Sequence, residues 1–291
     1  MNLTIGLGLA ATRPALAPVL DVFQGQIYAA YGLGWLLSSY TGPGVRVRRS
    51  SDGAETDIGF TALGALDVAA LLAFSGAGSA FVVTWYDQSG NGRHATQTVT
   101  ASQPRLVNAG VVDIGPNGRP VLVFTGAQSF GIAGAAGFAR NASDLTVGAA
   151  AMSSATSLSS GFFTASRGGN LSWYRVGLLH TPTLGSVRFA SSGDDADNPP
   201  FASRAYAPGA WARLIGRGRF LAGEAEIAIN GGFSTVALGT TTPTVDSDGV
   251  ARIAIAPNSG IPLTGQMSAL VLSRAALDIA PLDAALQGIM P

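Results

Sequence analysis

Past residue 44 the hydrophobic positions of this chain alternate with polar ones. In VRVRRS (45–50) Val45 and Val47 are separated by an arginine, as in a strand with one face in a core and one in solvent. FVVTWY (81–86) is apolar on both faces, as in a central strand. Further runs with strand character fall at 121–124, 145–151, 161–165, 172–179, 186–190, 211–216, 224–229, 234–238, 251–256 and 266–273. So many short strands separated by turn residues predict an all-β sandwich or jelly roll. In AEIAINGGFSTVAL two alternating runs flank Asn230-Gly231, a pair that tolerates the positive φ of a two-residue hairpin.

Helical periodicity shows in two places. Between residues 27 and 40, Leu33, Leu36, Leu37 and Tyr40 follow i, i+3, i+4, i+7 spacing and predict a short N-terminal helix ending before Gly42-Pro43. Near the C-terminus Leu282, Ala285, Leu286 and Ile289 share one helical face behind Pro281, which suits a first turn and predicts a C-terminal helix. Residues 1–22 are apolar and proline-punctuated without periodicity; they read either as an extended arm, a candidate docking segment, ahead of one sandwich domain over 23–291, or equally as an N-terminal strand of that domain.

Composition agrees with strands and tight turns. Charged residues make up 12% of the 291, about half the usual share, and there are 39 glycines. The formal net charge is zero, so no field steers the chain to nucleic acid or to an anionic membrane. The absence of cysteine excludes disulfides and thiolate chemistry. No basic residue precedes the first apolar stretch, as a secretory leader requires, and the run TALGALDVAALLAF is interrupted by Asp67 before it approaches a membrane span.

The densest motif is WYDQSGNGRHATQ (85–97), which holds Asp87, Ser89, Gly90, Asn91, Gly92 and His94. Asp and Asn beside Gly are ordinary turn formers, and a turn is the favoured reading; oxygen ligation of Ca2+ by Asp87 and Asn91 is the competing one, though the alternating acids of a calcium loop are missing. His94 has no Ser-His-Asp order around it and reads as a hydrogen-bonded structural histidine. No cofactor is expected. The flanks of GLGLA and SGNG lack the strand, lysine and helix of a phosphate loop.

Together with AYGLGWLLSSYTGPGVRVRRSSDGAETDIGF (30–60), this motif resembles the catalytic domain of α-L-arabinofuranosidase B, glycoside hydrolase family 54, over residues 28–98. The segments NGRPVLVFTG (117–126), INGG and GQMSALVLSRAAL (265–277) are similar to concanavalin A-like folds in general. The resemblance implies a concanavalin A-like jelly-roll sandwich and a retaining glycosidase, whose chemistry needs two carboxyl groups flanking the scissile bond. The family's general acid is an Asp in a GGDNS stretch, where this chain reads IAIAPNSG with Pro257. The family nucleophile is a mid-domain Glu, and no Glu stands between Glu55 and Glu224 here; Asp194, Asp195 and Asp197 in SSGDDADNPP are the acids near that place. The family's disulfide cysteines are absent as well.

Candidate sugar-stacking residues are Trp173, Tyr174, Phe201, Tyr206 and Trp211, with Asp194 and Asp195 as polar partners. With the family carboxylates replaced, the leading expectation is a non-catalytic virion component of a tailed phage or phage-like particle: a tail fibre, spike or capsid decoration. It would be located on the virion, pair with other virion subunits or copies of itself, and contact host surface polysaccharide. The alternatives are an arabinofuranosidase-like hydrolase using Asp194, Asp195 or Asp197, and a cellular lectin-like module.

Overall fold

The computed structural model describes residues 18–134, 137–166, 174–191, 201–238, 241–244, 251–254 and 262–291. The predicted residues Trp173, Asp194, Asp195, Asp197 and Pro257 lie outside them, as do arm residues 1–17.

The described residues form nineteen strands and two α-helices. In chain order the strands are β1 (Ile27–Gly32), β2 (Val45–Arg49), β3 (Glu55–Ile58), β4 (Ala80–Trp85), β5 (Ala95–Thr96), β6 (Arg105–Asn108), β7 (Val111–Val112), β8 (Leu122–Thr125), β9 (Phe130–Ile132) and β10 (Asp144–Ser153). They continue as β11 (Ser160–Ser166), β12 (Tyr174–Thr181), β13 (Ser186–Ser191), β14 (Phe201–Ala205), β15 (Ala212–Arg219), β16 (Glu224–Ile229), β17 (Gly232–Ala237), β18 (Ala251–Ile253) and β19 (Thr264–Ser273). The helices are α1 (Val68–Ser75) and α2 (Ile279–Ile289).

Antiparallel pairing builds two layers. The first runs β17-β16-β15-β10-β19-β1, and the second runs β14-β13-β12-β11-β18-β9-β5-β4-β2-β3. Strand β6 bonds to both β4 and β8, and β8 to β19, so the ladder continues from one layer into the other. The all-β sandwich expected from the alternation is what forms.

The core between the layers holds Val147, Leu214, Ile227 and Leu270 from the first and Val82, Trp85, Phe163, Val176 and Phe189 from the second, all buried. A second apolar layer lies outside the first sheet. There Ala150, Ile215, Ala228, Ala269 and Val271 face the α2 stripe Leu282, Ala285, Leu286 and Ile289, which is the stripe the sequence predicts.

One local expectation needs correction. The predicted helix over 27–40 does not form: β1 occupies its first half, paired to β19 from Ile27↔Ser273 to Gly32↔Ala269, and residues 33–40 are irregular. Leu36 and Leu37 still bury on the side of α2, so their spacing served a core without a helix. The N-terminal half holds a different helix, α1, capped by Asp67, whose side chain accepts the Ala70 N–H at 3.0 Å. The end of the predicted arm packs on the sandwich, with Leu20 fully buried and its N–H donated to Leu36 O. The Asn230-Gly231 hairpin is as expected, with φ of 50° and 85°.

Candidate functional site

Backbone carbonyls and amides left unpaired by β1 and the irregular 33–36 segment are collected by the DQSGNG motif. The Asp87 carboxylate accepts Ala30 N (2.9 Å), Ser89 N (2.9 Å), Ser89 Oγ (2.8 Å) and Arg93 N (3.0 Å). Gln88 is fully buried; its Oε1 accepts Leu36 N at 2.8 Å and its Nε2 donates to Gly32 O and Gly34 O at 3.1 Å. Asn91 Nδ2 donates to Ile27 O and Tyr28 O, and Gly90 and Gly92 take the positive φ that folds the turn. His94 Nδ1 accepts Asp87 N at 3.2 Å. Both Asp87 oxygens are therefore directed at N–H and O–H donors, and the motif is a latch that ties β1 to the end of β4. Among the described residues no group of three or more His, Asp or Glu side chains is arranged to hold a metal ion.

The face of the second layer turned away from the core is largely buried as well, with Thr164, Arg175 and Ala190 at 0–2% exposure. Residues alternating there with core positions form a row across five strands: Arg252, Thr164, Gly177, Ala190 and Phe201 are successive register partners. Arg175 and Arg188 stand on the same face, Arg175 buried to 1% exposure and Arg188 with its guanidinium 4.1 Å from the centroid of the Phe201 ring. Phe201 is 39% exposed and so offers ring surface to a ligand. The strands β11, β12, β13, β14 and β18 contribute no Asp or Glu to this face, and its charge is entirely arginine. The connection between β13 and β14 spans residues 192–200 and carries Asp194, Asp195 and Asp197.

The other predicted aromatics are placed differently. Tyr206 is buried, its ring 4.8 Å from that of His180 and its hydroxyl donated to Ala210 O at 2.6 Å, so it has no face for a sugar. Trp211 is half-buried immediately before β15, and Tyr174 opens β12.

The far flank of the same layer holds a polar cluster that sequence reading missed. Arg46 pairs with Glu55 (3.1 Å) and Asp57 (3.6 Å), Tyr86 donates its hydroxyl to Asp57 at 2.8 Å, and the Tyr86 ring meets His94 edge-on at 5.0 Å. Beside it lies an open pocket of about 250 Å³ lined by Trp35, Tyr40, Thr41, Gly42, Phe60, Thr61 and the exposed Ala62. The signal for the arginine face was available in the sequence, because Arg175, Arg188 and Arg252 sit at alternate positions of strand-like runs. No local signal joins Trp35, Tyr40 and Phe60, which come together only through the latch.

Comparison with known proteins gives this geometry a family context. Residues 26–164, just under half of the chain, match the model for the catalytic domain of α-L-arabinofuranosidase B. An α-L-arabinofuranosidase of Hypocrea jecorina is 45% identical over 62 residues, and a probable α-L-arabinofuranosidase B of Aspergillus terreus is 44% identical over 63. Each match covers 21% of this chain and 12% of the relative. A solved arabinofuranosidase in complex with arabinofuranosyl-α-1,2-xylobiose superposes with a TM-score of 0.64 at 16% identity, over 95% of this chain and 64% of the other. A family 54 enzyme soaked with a cyclic sulfate inhibitor gives 0.63 over 95% and 65%. These matches overturn the expectation of a non-catalytic phage virion component, and with it the virion location, tail-fibre and spike roles. Residues 26–164 thus resemble the catalytic domain of α-L-arabinofuranosidase B, and nearly the whole chain shares the fold of solved family 54 arabinofuranosidases.

Proposed function

We propose that the chain is a glycoside hydrolase of the α-L-arabinofuranosidase type, which removes arabinofuranosyl groups from polysaccharide. The observation that carries this reading is the match of residues 26–164 to the catalytic-domain model, supported by the fold likeness across nearly the whole chain. In such chemistry one carboxyl group protonates the departing glycosidic oxygen while a second attacks the anomeric carbon or activates water. The described strands supply no carboxylate to the arginine face, so the reacting acids are assigned to Asp194, Asp195 and Asp197 in the adjoining β13–β14 connection. Positive charge from Arg175, Arg188 and Arg252 suits that assignment, since guanidinium groups near a carboxylate favour its ionised form, which a nucleophile requires. Phe201 supplies an apolar surface for the sugar's C–H face.

The test is release of 4-nitrophenol from 4-nitrophenyl α-L-arabinofuranoside. The expected result is turnover by the unaltered chain and a loss of at least 100-fold in the double variant Asp194→Ala/Asp195→Ala, about the scale of general acid–base catalysis. Turnover that survives replacement of all three aspartates would remove them from the mechanism. Absence of turnover in the unaltered chain, on this substrate and on arabinoxylan, would overturn the hydrolase reading.

A further inference from the structure

The pocket lined by Trp35, Tyr40 and Phe60 brings three aromatic side chains to one surface. Trp35 Nε1 donates to Tyr40 O at 2.9 Å, and the Tyr40 hydroxyl donates to Pro43 O at 2.7 Å. Both polar ends are thus tied to backbone, which fixes the rings, and all three aromatic residues stay half-buried at the pocket. Two glycines make the arrangement possible. A Cβ on Gly42 would sit 2.5 Å from the Tyr40 hydroxyl oxygen, and one on Gly44 would sit 2.8 Å from Phe60 Cζ, so each ring lies directly on a backbone that only glycine leaves clear.

The rim is polar. Thr41 and Thr61 bring hydroxyls to the wall. Asp57 and Tyr86 are close enough to Tyr40 to contribute, after burial and Asp87, to pushing its hydroxyl pKa up to about 12. Asp57 is also 43% exposed, leaving acceptor capacity beyond its bonds to Tyr86 and Arg46. Fixed aromatic side chains beside two threonines, with Asp57 nearby, match a sugar ring, which has C–H faces and a hydroxyl perimeter.

We propose that Trp35, Tyr40 and Phe60 form a saccharide-stacking subsite, separate from the arginine face, that holds a neutral sugar unit of the polysaccharide on which the chain acts. Its ligand class rests on the hydrolase reading; its geometry does not. Rings already fixed before binding lose little conformational freedom on contact, which favours affinity from a small pocket.

The test is isothermal titration of the full chain with soluble arabinoxylan. The probe is applied to the unaltered chain, to Trp35→Ala and to Ala62→Trp, which fills the pocket from its exposed rim. Hydrolysis of 4-nitrophenyl α-L-arabinofuranoside by the unaltered chain is measured separately. The expected result is binding that weakens at least tenfold in both variants, with thermal unfolding of Ala62→Trp unchanged. Equal binding by all three chains, or no binding by the unaltered one, would overturn the subsite even if the small glycoside is cleaved. Loss of binding in the variants without any cleavage by the unaltered chain would leave the subsite standing and remove the hydrolase reading.

Discussion

Single side chains carry much of this structure because buried backbone must be satisfied. Asp87 takes hydrogen bonds from three backbone amides, and removing its carboxylate strands them in a site with 1% exposure. Each buried unsatisfied group costs about 1–3 kcal/mol, so Asp87→Ala is expected to lose about 3 kcal/mol or more in urea unfolding, and Asp87→Asn less, since it keeps one acceptor oxygen. His180 is the second such residue. It is fully buried, its Nδ1 is 2.8 Å from Ser153 Oγ on β10, and its Nε2 has no hydrogen-bond partner among the described residues. The described polar groups against it are Ser153, Ser160 on β11 and Tyr206, none charged at neutral pH. Burial therefore lowers its pKa below the ordinary value. Between that lowered value and the unfolded value of about 6.5 the unfolded chain binds the extra proton, so stability rises with pH through this window and is lost on acidification. The unfolding midpoint is expected to fall as pH drops below about 6.5, with a shallower fall in His180→Gln; equal slopes in the two chains would exclude His180 as the cause.

At the scale of elements, close approach of the two layers depends on one missing side chain. Gly216 on β15 faces Phe189 on β13, and a Cβ there would overlap the ring. Gly216→Ala is expected to cost about 1–3 kcal/mol by overpacking, read as a lower midpoint in chemical denaturation, with Gly216→Val more severe. Strands β2, β4, β8, β10 to β13 and β15 to β19 were legible as apolar or alternating runs bounded by turn residues: β2 has one face in the core and one outside it, whereas β10, β11 and β19 are buried on both faces. Helix α2 was legible at a period of 3.6. Residues 33–40 misled because Leu36 and Leu37 have helical spacing, yet Gln88, some 52 residues away, supplies hydrogen bonds that a helix would have made internally. Asp67 was read as an interruption in an apolar run, although an Asp before such a run is also an N-cap, and α1 starts there. Short strands such as β5 and β7, two residues each, hold too few positions to show a period. The site was less legible than the fold: Phe201 alone of the predicted aromatics is both described and on the arginine face, and the Trp35 pocket depends on contacts remote in sequence.

For the whole molecule, the sequence supported the right scaffold and the wrong role. Replacement of the family's carboxylates had pointed to a particle protein, but residues 26–164 match the catalytic-domain model of α-L-arabinofuranosidase B and the fold is shared with solved arabinofuranosidases; the proposed test on Asp194, Asp195 and Asp197 decides whether the acids of the β13–β14 connection take the carboxylates' place. A last consequence follows from the pairing of β1 with β19, which joins Ile27 to Ser273. Strand β10 also needs β19, across a register from Thr146↔Ser273 to Ser153↔Gly265. The earliest strand and the middle one therefore share a partner that is made after nearly everything else. Pairings of such long sequence separation are slow to form, so refolding from denaturant should take milliseconds to seconds or longer. A chain ended at residue 262 is expected to remain aggregation-prone and open to protease, where the full chain resists both, because two strands would present bare edges. During synthesis those edges wait for a strand still to come, which makes the nascent chain a natural client for chaperones.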